Sequence, residues 1–185
     1  MALATYRELL GEFPNLRLII TPRHPERFDE VAALLDRDGV RWQRRSRLEQ
    51  VGADPRARVL LVDAVGELAA WWGLATIAYV GGSLGKRQGQ NMIEPAAYGA
   101  AVSFGPHTRN FRDVVSLLLE REAAVVVQDG RDLTRFVRHC LEQPAYAAEL
   151  GRRARHLVLD QLGATDRTLK LLLAQDAEPA RRRAA

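Results

Sequence analysis

The sequence holds a single cysteine, Cys140, among its 185 residues. One thiol excludes an intramolecular disulfide and a multi-thiolate zinc site, and a reducing compartment fits it. Its neighbours, RFVRHCLEQ, have the spacing of one side of a helix, so the thiol reads as buried packing rather than as a nucleophile. Long apolar runs are also missing: nothing approaches the roughly 20 residues that a membrane-spanning helix needs. The opening MALATYREL lacks the basic-then-apolar order of a signal peptide, and the chain reads as soluble as given. A concentrated charge is missing too. The net charge is only +4, and the pI near 9.7 comes from arginines scattered through WQRRSR (42–47), GRRARH (151–156) and RRR (181–183), in regions that also hold acids. Such runs read as solvated faces, and no nucleic-acid partner is implied. Neither an internal repeat nor a domain linker is visible.

What is present is the composition of a folded domain, with 47% hydrophobic and 27% charged residues in a length suited to one core. Short β-rich runs alternate with longer helical patterns. This predicts the α/β class, a Rossmann-like parallel sheet with helices on both faces. Strands are predicted at LRLII (16–20), VRWQRR (40–45), RVLLVD (58–63), TIAYVG (76–81), AVSFG (101–105) and AVVVQ (124–128). The three- and four-residue apolar spacing predicts helices over 25–38, 64–75, 92–100, 110–122 and 132–143, then a wholly helical end over 144–163 and 164–175. Residues 177–185, AEPARRRAA, read as a disordered tail with nothing to bury. The chain opens on a helix, ALATYRELLGEF, rather than on the strand that usually begins such a domain, so the domain of residues 1–176 is expected to be truncated at its first strand.

In a doubly wound sheet, ligands bind beyond the carboxyl ends of the strands, and three loops qualify. TPRHPERF follows the first strand and brings Arg23 and His24 between two prolines that restrict the backbone. Arg23 there can bind a phosphate, or the pair can cap neighbouring carboxylates. LVDAVGEL places Asp63 at a strand end and Gly66 and Glu67 in the first helical turn. Glu67 suits a helix start whatever the function; a glycine there costs about 1 kcal/mol, and a ligand close to the backbone is one reason to keep it. The third loop, GGSLGKRQGQNMIEP, runs from Gly81 to Pro95. Gly81 and Gly82 let N–H groups approach an anion, and Ser83 adds a hydroxyl. A helix beginning near Asn91 offers further N–H groups to a phosphate, and Glu94 in its first turns can accept two hydrogen bonds from a ribose diol. That order of donors and acceptor suits a nucleotide; a flexible glycine loop before an ordinary capped helix would look similar.

Taken together, PRHPERF, RRS, VGEL, YVGGSL, QNMIEPAAYG, FGPHTRNF and the late QLGATDRTL resemble, in order and separation, the blocks of the Kdo transferases. These are the 3-deoxy-D-manno-octulosonic acid transferases of lipopolysaccharide assembly, and the likeness runs over about residues 16–173. It implies the C-terminal, donor-binding domain of a two-domain GT-B glycosyltransferase that moves Kdo from CMP-Kdo to a lipid A precursor with inversion. The resemblance assigns Arg23, His24, Gly66, Glu67, Gly82, Ser83, Asn91 and Glu94 to the donor site, with Arg45 and Ser46 lining the nucleotide pocket. It implies no cofactor. No metal is expected; N–H groups and Arg23 would stabilise the leaving phosphate. Where the family usually reads G-G-H-N, this chain has Gly89-Gln90-Asn91 behind Gln88, and Gln90 cannot carry a positive charge. The family's catalytic base, a Glu of the N-terminal domain, its acceptor surface and its membrane anchor are not in these residues. The isolated chain is therefore expected to bind donor without completing transfer, and the intact enzyme to lie on the cytoplasmic face of the bacterial inner membrane. Other GT-B glycosyltransferases, UDP-sugar 2-epimerases and non-catalytic nucleotide-binding modules would use similar glycine loops.

Overall fold

The computed structural model describes residues 1–163. The helix expected over 164–175 and the tail expected over 177–185 lie outside the described residues. Six short strands form, five in mainly apolar runs and β2 in the Trp-Gln-Arg stretch: β1 (Leu18–Ile20), β2 (Trp42–Arg44), β3 (Val59–Leu61), β4 (Ile77–Val80), β5 (Ala101–Phe104) and β6 (Ala124–Val126). Each lies inside a predicted run. All the strand pairings are parallel, so the carboxyl ends of paired strands share one edge. The helices are α1 (Ala2–Leu10), α2 (Phe28–Asp38), α3 (Leu48–Val51), α4 (Leu68–Trp72), α5 (Ile93–Ala97), α6 (Arg112–Glu120), α7 (Gly130–Glu142) and α8 (Pro144–Gln161).

The single sheet expected from the pattern is divided in two, with strand orders β1-β3-β2 and β4-β5-β6. Among the described residues, β1 and β4 each carry a hydrogen-bonded ladder on one side only, β1 against β3 and β4 against β5. Helix α1 packs against both halves. Its Leu3 and Tyr6 pack with Val31, Leu35, Val59 and Leu61 of the first half. Its other side meets α7 of the second half, where the Thr5 and Thr134 hydroxyls share a buried hydrogen bond of 2.9 Å and Arg138 pairs with Glu12 and Glu8.

The second half is covered on both faces, and β5 is buried along its whole length, its one polar residue, Ser103, donating from its hydroxyl to the Ala78 carbonyl at 3.1 Å. One face packs Val80, Met92, Val102, Phe104 and Leu118 against Ala154 and Leu157 of α8. The other packs Ala101, Val127, Leu133, Phe136 and Leu150 around Cys140, whose thiol is 2% exposed. Burial pushes that thiol up to about 12, so it stays protonated and inert at neutral pH. α8 crosses the turn before β5 in direct backbone contact, since a Cβ on Gly151 would lie 1.9 Å from the Gly99 carbonyl oxygen.

Candidate functional site

The loops leaving the carboxyl ends of β1 to β4 carry all ten residues expected at the site. After β1, Arg23 and His24 are exposed at the start of a 3-10 turn, Pro25–Arg27. The His24 imidazole lies 3.6 Å from Glu26. Among the described residues, the Arg23 side chain has no hydrogen-bond or ion-pair partner, which leaves a cation accessible at the strand end.

The ends of β2 and β3 are bound to each other. Ser46 donates from its backbone N–H and its hydroxyl to the two oxygens of Asp63, at 2.9 and 2.7 Å. Burial pushes the Asp63 carboxyl up, but these bonds and the Arg44 guanidinium 3.5 Å away outweigh it, and the group sits below its ordinary value. Arg45 donates from Nε to Glu67 Oε2 at 3.0 Å and from its terminal nitrogens to Glu49. The pattern expects Gly66 and Glu67 in the first helical turn; instead α4 begins at Leu68, with Glu67 as its N-cap. Gly66 holds φ at +90°, with open space where a Cβ would stand. Its glycine is required by backbone conformation, since other residues are strained there. Glu67 makes no side-chain capping bond and turns instead toward Arg45 and the Trp71 indole, whose N–H lies 3.3 Å from Oε2.

After β4 the chain turns through Gly82, with φ at +78°, into a loop pinned to the end of β5. The expected role of the Ser83 hydroxyl as a ligand donor is corrected by its surroundings. Ser83 is fully buried, and its hydroxyl donates to the Val80 carbonyl and accepts from Gly105 N–H, both at 2.7 Å. The Ser83 carbonyl accepts from His107 N–H at 2.8 Å, and Gly82 accepts from Gly89 N–H at 3.1 Å. Gly105 permits this contact, because a Cβ there would lie 2.5 Å from Ser83 O. The Ser83 hydroxyl is therefore not available to an anion, whereas backbone N–H groups of the loop are.

The helix α5 starts at Ile93, two residues beyond Asn91, and has five residues, so its dipole is small. Asn91 precedes it and accepts from Ile93 N–H at 3.0 Å. Its amide then donates to Glu94 Oε1 at 3.1 Å, while the Trp72 indole donates to Oε2 at 3.3 Å. Two connected groups result, Arg45, Ser46, Asp63 and Glu67 on one side and Asn91 and Glu94 on the other, with Trp71 and Trp72 of α4 reaching one carboxylate each. The tip of the β4 loop approaches α2: Arg27 holds the Glu30 carboxyl low, and Arg87 of the loop adds to that effect. No contact of Arg23 or His24 with either group is observed. The indoles were missed because WW sits inside the apolar helix pattern of residues 64–75. Neighbouring helix positions do not share a face, so two consecutive tryptophans could not both fill the core, and that was the available signal.

Parallel strands, covering helices and strand-end loops of this kind define a Rossmann-like α/β domain. A scan of protein-family models found no match to the sequence. The 3-deoxy-D-manno-octulosonic acid transferase of Haemophilus influenzae is 38% identical over 171 residues, 92% of this chain and 40% of the relative. The transferase of the same name from Bordetella pertussis is 38% identical over 159 residues, 86% of this chain and 37% of the relative. The chain thus spans about two fifths of the length of these relatives. Among solved structures, the C-terminal CMP-Kdo binding domain of WaaA from Acinetobacter baumannii superposes with a TM-score of 0.77 at 30% identity, over 85% of this chain and 81% of that one. The chain belongs to the 3-deoxy-D-manno-octulosonic acid transferase family.

Proposed function

We propose that the chain binds CMP-Kdo through its strand-end loops, as the donor-binding half of an inverting GT-B glycosyltransferase that transfers Kdo to a lipid A precursor. The observation that carries this reading is the Glu94 carboxylate, fixed by Asn91 and Trp72 directly behind the glycine loop. A carboxylate repels phosphate but accepts strongly from a vicinal diol, whereas the N–H groups around Gly82 and the Arg23 guanidinium, which has no partner among the described residues, suit the phosphate. Arg45 and Ser46 line the nucleotide pocket in this reading, and Gly66 and Glu67 complete the donor site. Ser83 acts through its backbone and through the loop shape that its hydroxyl maintains. The crystallised WaaA domain, which binds CMP-Kdo, supports the same ligand here.

The general base of this transfer belongs to the N-terminal domain of the family, together with the acceptor surface and the membrane contact. The isolated chain therefore binds donor without transferring Kdo, because a base must lie within hydrogen-bond reach of the attacking hydroxyl. Among the described residues no helix is long and apolar enough to cross a membrane. Calorimetry with CMP, UMP and UDP in parallel tests the reading. CMP should bind most tightly; equal affinity for UMP would reassign the site to a UDP-sugar enzyme, and no binding of any nucleotide would remove the nucleotide reading.

A further inference from the structure

We propose that Trp72 is a positioning residue for ribose recognition, setting the Glu94 carboxylate so that one acceptor site on each oxygen faces the diol. This rests on the nucleotide reading above. An ionised carboxylate has about four acceptor sites, two on each oxygen. In the structure the internal donors are divided evenly: Asn91 takes one site on Oε1 at 3.1 Å, and Trp72 takes one on Oε2 at 3.3 Å. One site is left on each oxygen, the arrangement that a vicinal pair of hydroxyls requires. The two donors are not equivalent in origin. Asn91 is three residues before Glu94 in the chain, directly ahead of the helix that carries the acid, and moves with it. Trp72 stands on α4, 22 residues away, and ties the carboxylate to a different element. That element also carries Trp71, which donates to Glu67, so the same short helix fixes both acids of the site.

Trp72→Phe tests this, since it keeps an aromatic ring and removes the N–H. The wild-type chain and the variant are titrated with CMP and with 2′,3′-dideoxy-CMP, which lacks both hydroxyls of the diol. CMP affinity should fall about three- to tenfold, the range for one hydrogen bond, while 2′,3′-dideoxy-CMP affinity stays within about twofold. Retained binding of the dideoxy analogue also shows that the variant is folded. In a Trp72→Phe, Glu94→Gln double variant, the loss for CMP should equal that of Glu94→Gln alone, because Trp72 acts only through Glu94. An equal loss for both nucleotides would make Trp72 a structural residue and overturn the inference, as would unchanged CMP affinity in the variant. Failure of the wild-type chain to bind CMP would instead remove the nucleotide reading, and this inference with it.

Discussion

Replacing Glu94 with Gln keeps the shape of the side chain and removes the charge on which the proposed diol contact depends. Two effects follow, and the structure separates their sizes. In the native protein both oxygens accept an internal hydrogen bond, from Asn91 at 3.1 Å and Trp72 at 3.3 Å. Glutamine has one oxygen, so one of these donors meets an amide NH2 and loses its partner. That loss, in a half-buried setting, costs about 0.5 to 1.5 kcal/mol, larger than the fraction of a kilocalorie expected from the dipole of a five-residue helix. For a domain of this size it corresponds to a fall in melting temperature of about 2 to 6 °C. Ligand binding should suffer more, because hydrogen bonds to a charged acceptor are worth about 1.5 to 3 kcal/mol, and CMP affinity should drop about tenfold or more. The assay is a CMP titration of Glu94→Gln beside a ligand-free thermal melt. Unchanged CMP affinity would refute the diol contact. A melting temperature lowered by much more than about 6 °C without ligand would mark Glu94 as a structural residue.

Gly105→Ala should distort the loop after β4, because its new Cβ would lie 2.5 Å from Ser83 O and 2.6 Å from Leu84 Cγ; a loss of about 1 to 3 kcal/mol in stability together with weaker CMP binding is expected, measured by denaturant titration and calorimetry. Arg23→Ala should do the reverse, leaving stability within about 0.5 kcal/mol while CMP affinity falls and becomes less salt-dependent, since the side chain is exposed and has no partner among the described residues. The Asp63 carboxyl is held below its ordinary value of 3.8 in the folded chain, so it contributes stability that is present above the ordinary carboxylate range and is lost as the pH falls through the lower folded value. Asp63→Asn should be less stable than the native chain at pH 7 and lose less further stability between about pH 5 and pH 3, a comparison made by thermal melts across that range.

Much of the fold was legible because its signals are local. A mostly apolar run such as that of β5 is buried on both faces by helices, and such a run can be read without knowing its partners. The division into two sheets was not legible, because a ladder depends on which strand lies alongside, and the runs of β1 and β4 look no different with one neighbour or two. At the site, sequence order identified the loops, since parallel strands place their ends together. It did not reveal which polar groups the protein itself uses. A serine after two glycines reads the same whether it faces a ligand or the N–H of Gly105, and that partner lies 22 residues away at the end of another strand. Glu67 read as a helix-start acid for the same reason. Its actual partners, Arg45 and Trp71, include one that only the meeting of the β2 and β3 ends supplies.

The partners of the charged groups also say what kind of ligand the edge can hold. Arg44 faces Asp29 and Asp63, and Arg45 faces Glu49 and Glu67, so neither cation is free for a phosphate unless it leaves an acid behind. Glu67 is neutralised by the same pairing. Glu94 differs, for the donors identified on its oxygens, Trp72 and Asn91, are both uncharged. Its charge is therefore oriented but not cancelled, which favours neutral hydroxyl donors and repels an anion. On the β1 side, Arg23 is accessible with no acid engaged. An anion is thus favoured toward Arg23 and the N–H groups of the glycine loop, and hydroxyls toward Glu94. A free phosphate would use only the first of these and a neutral sugar only the second, whereas a nucleoside monophosphate carries both groups on one ribose and can satisfy the two ends together.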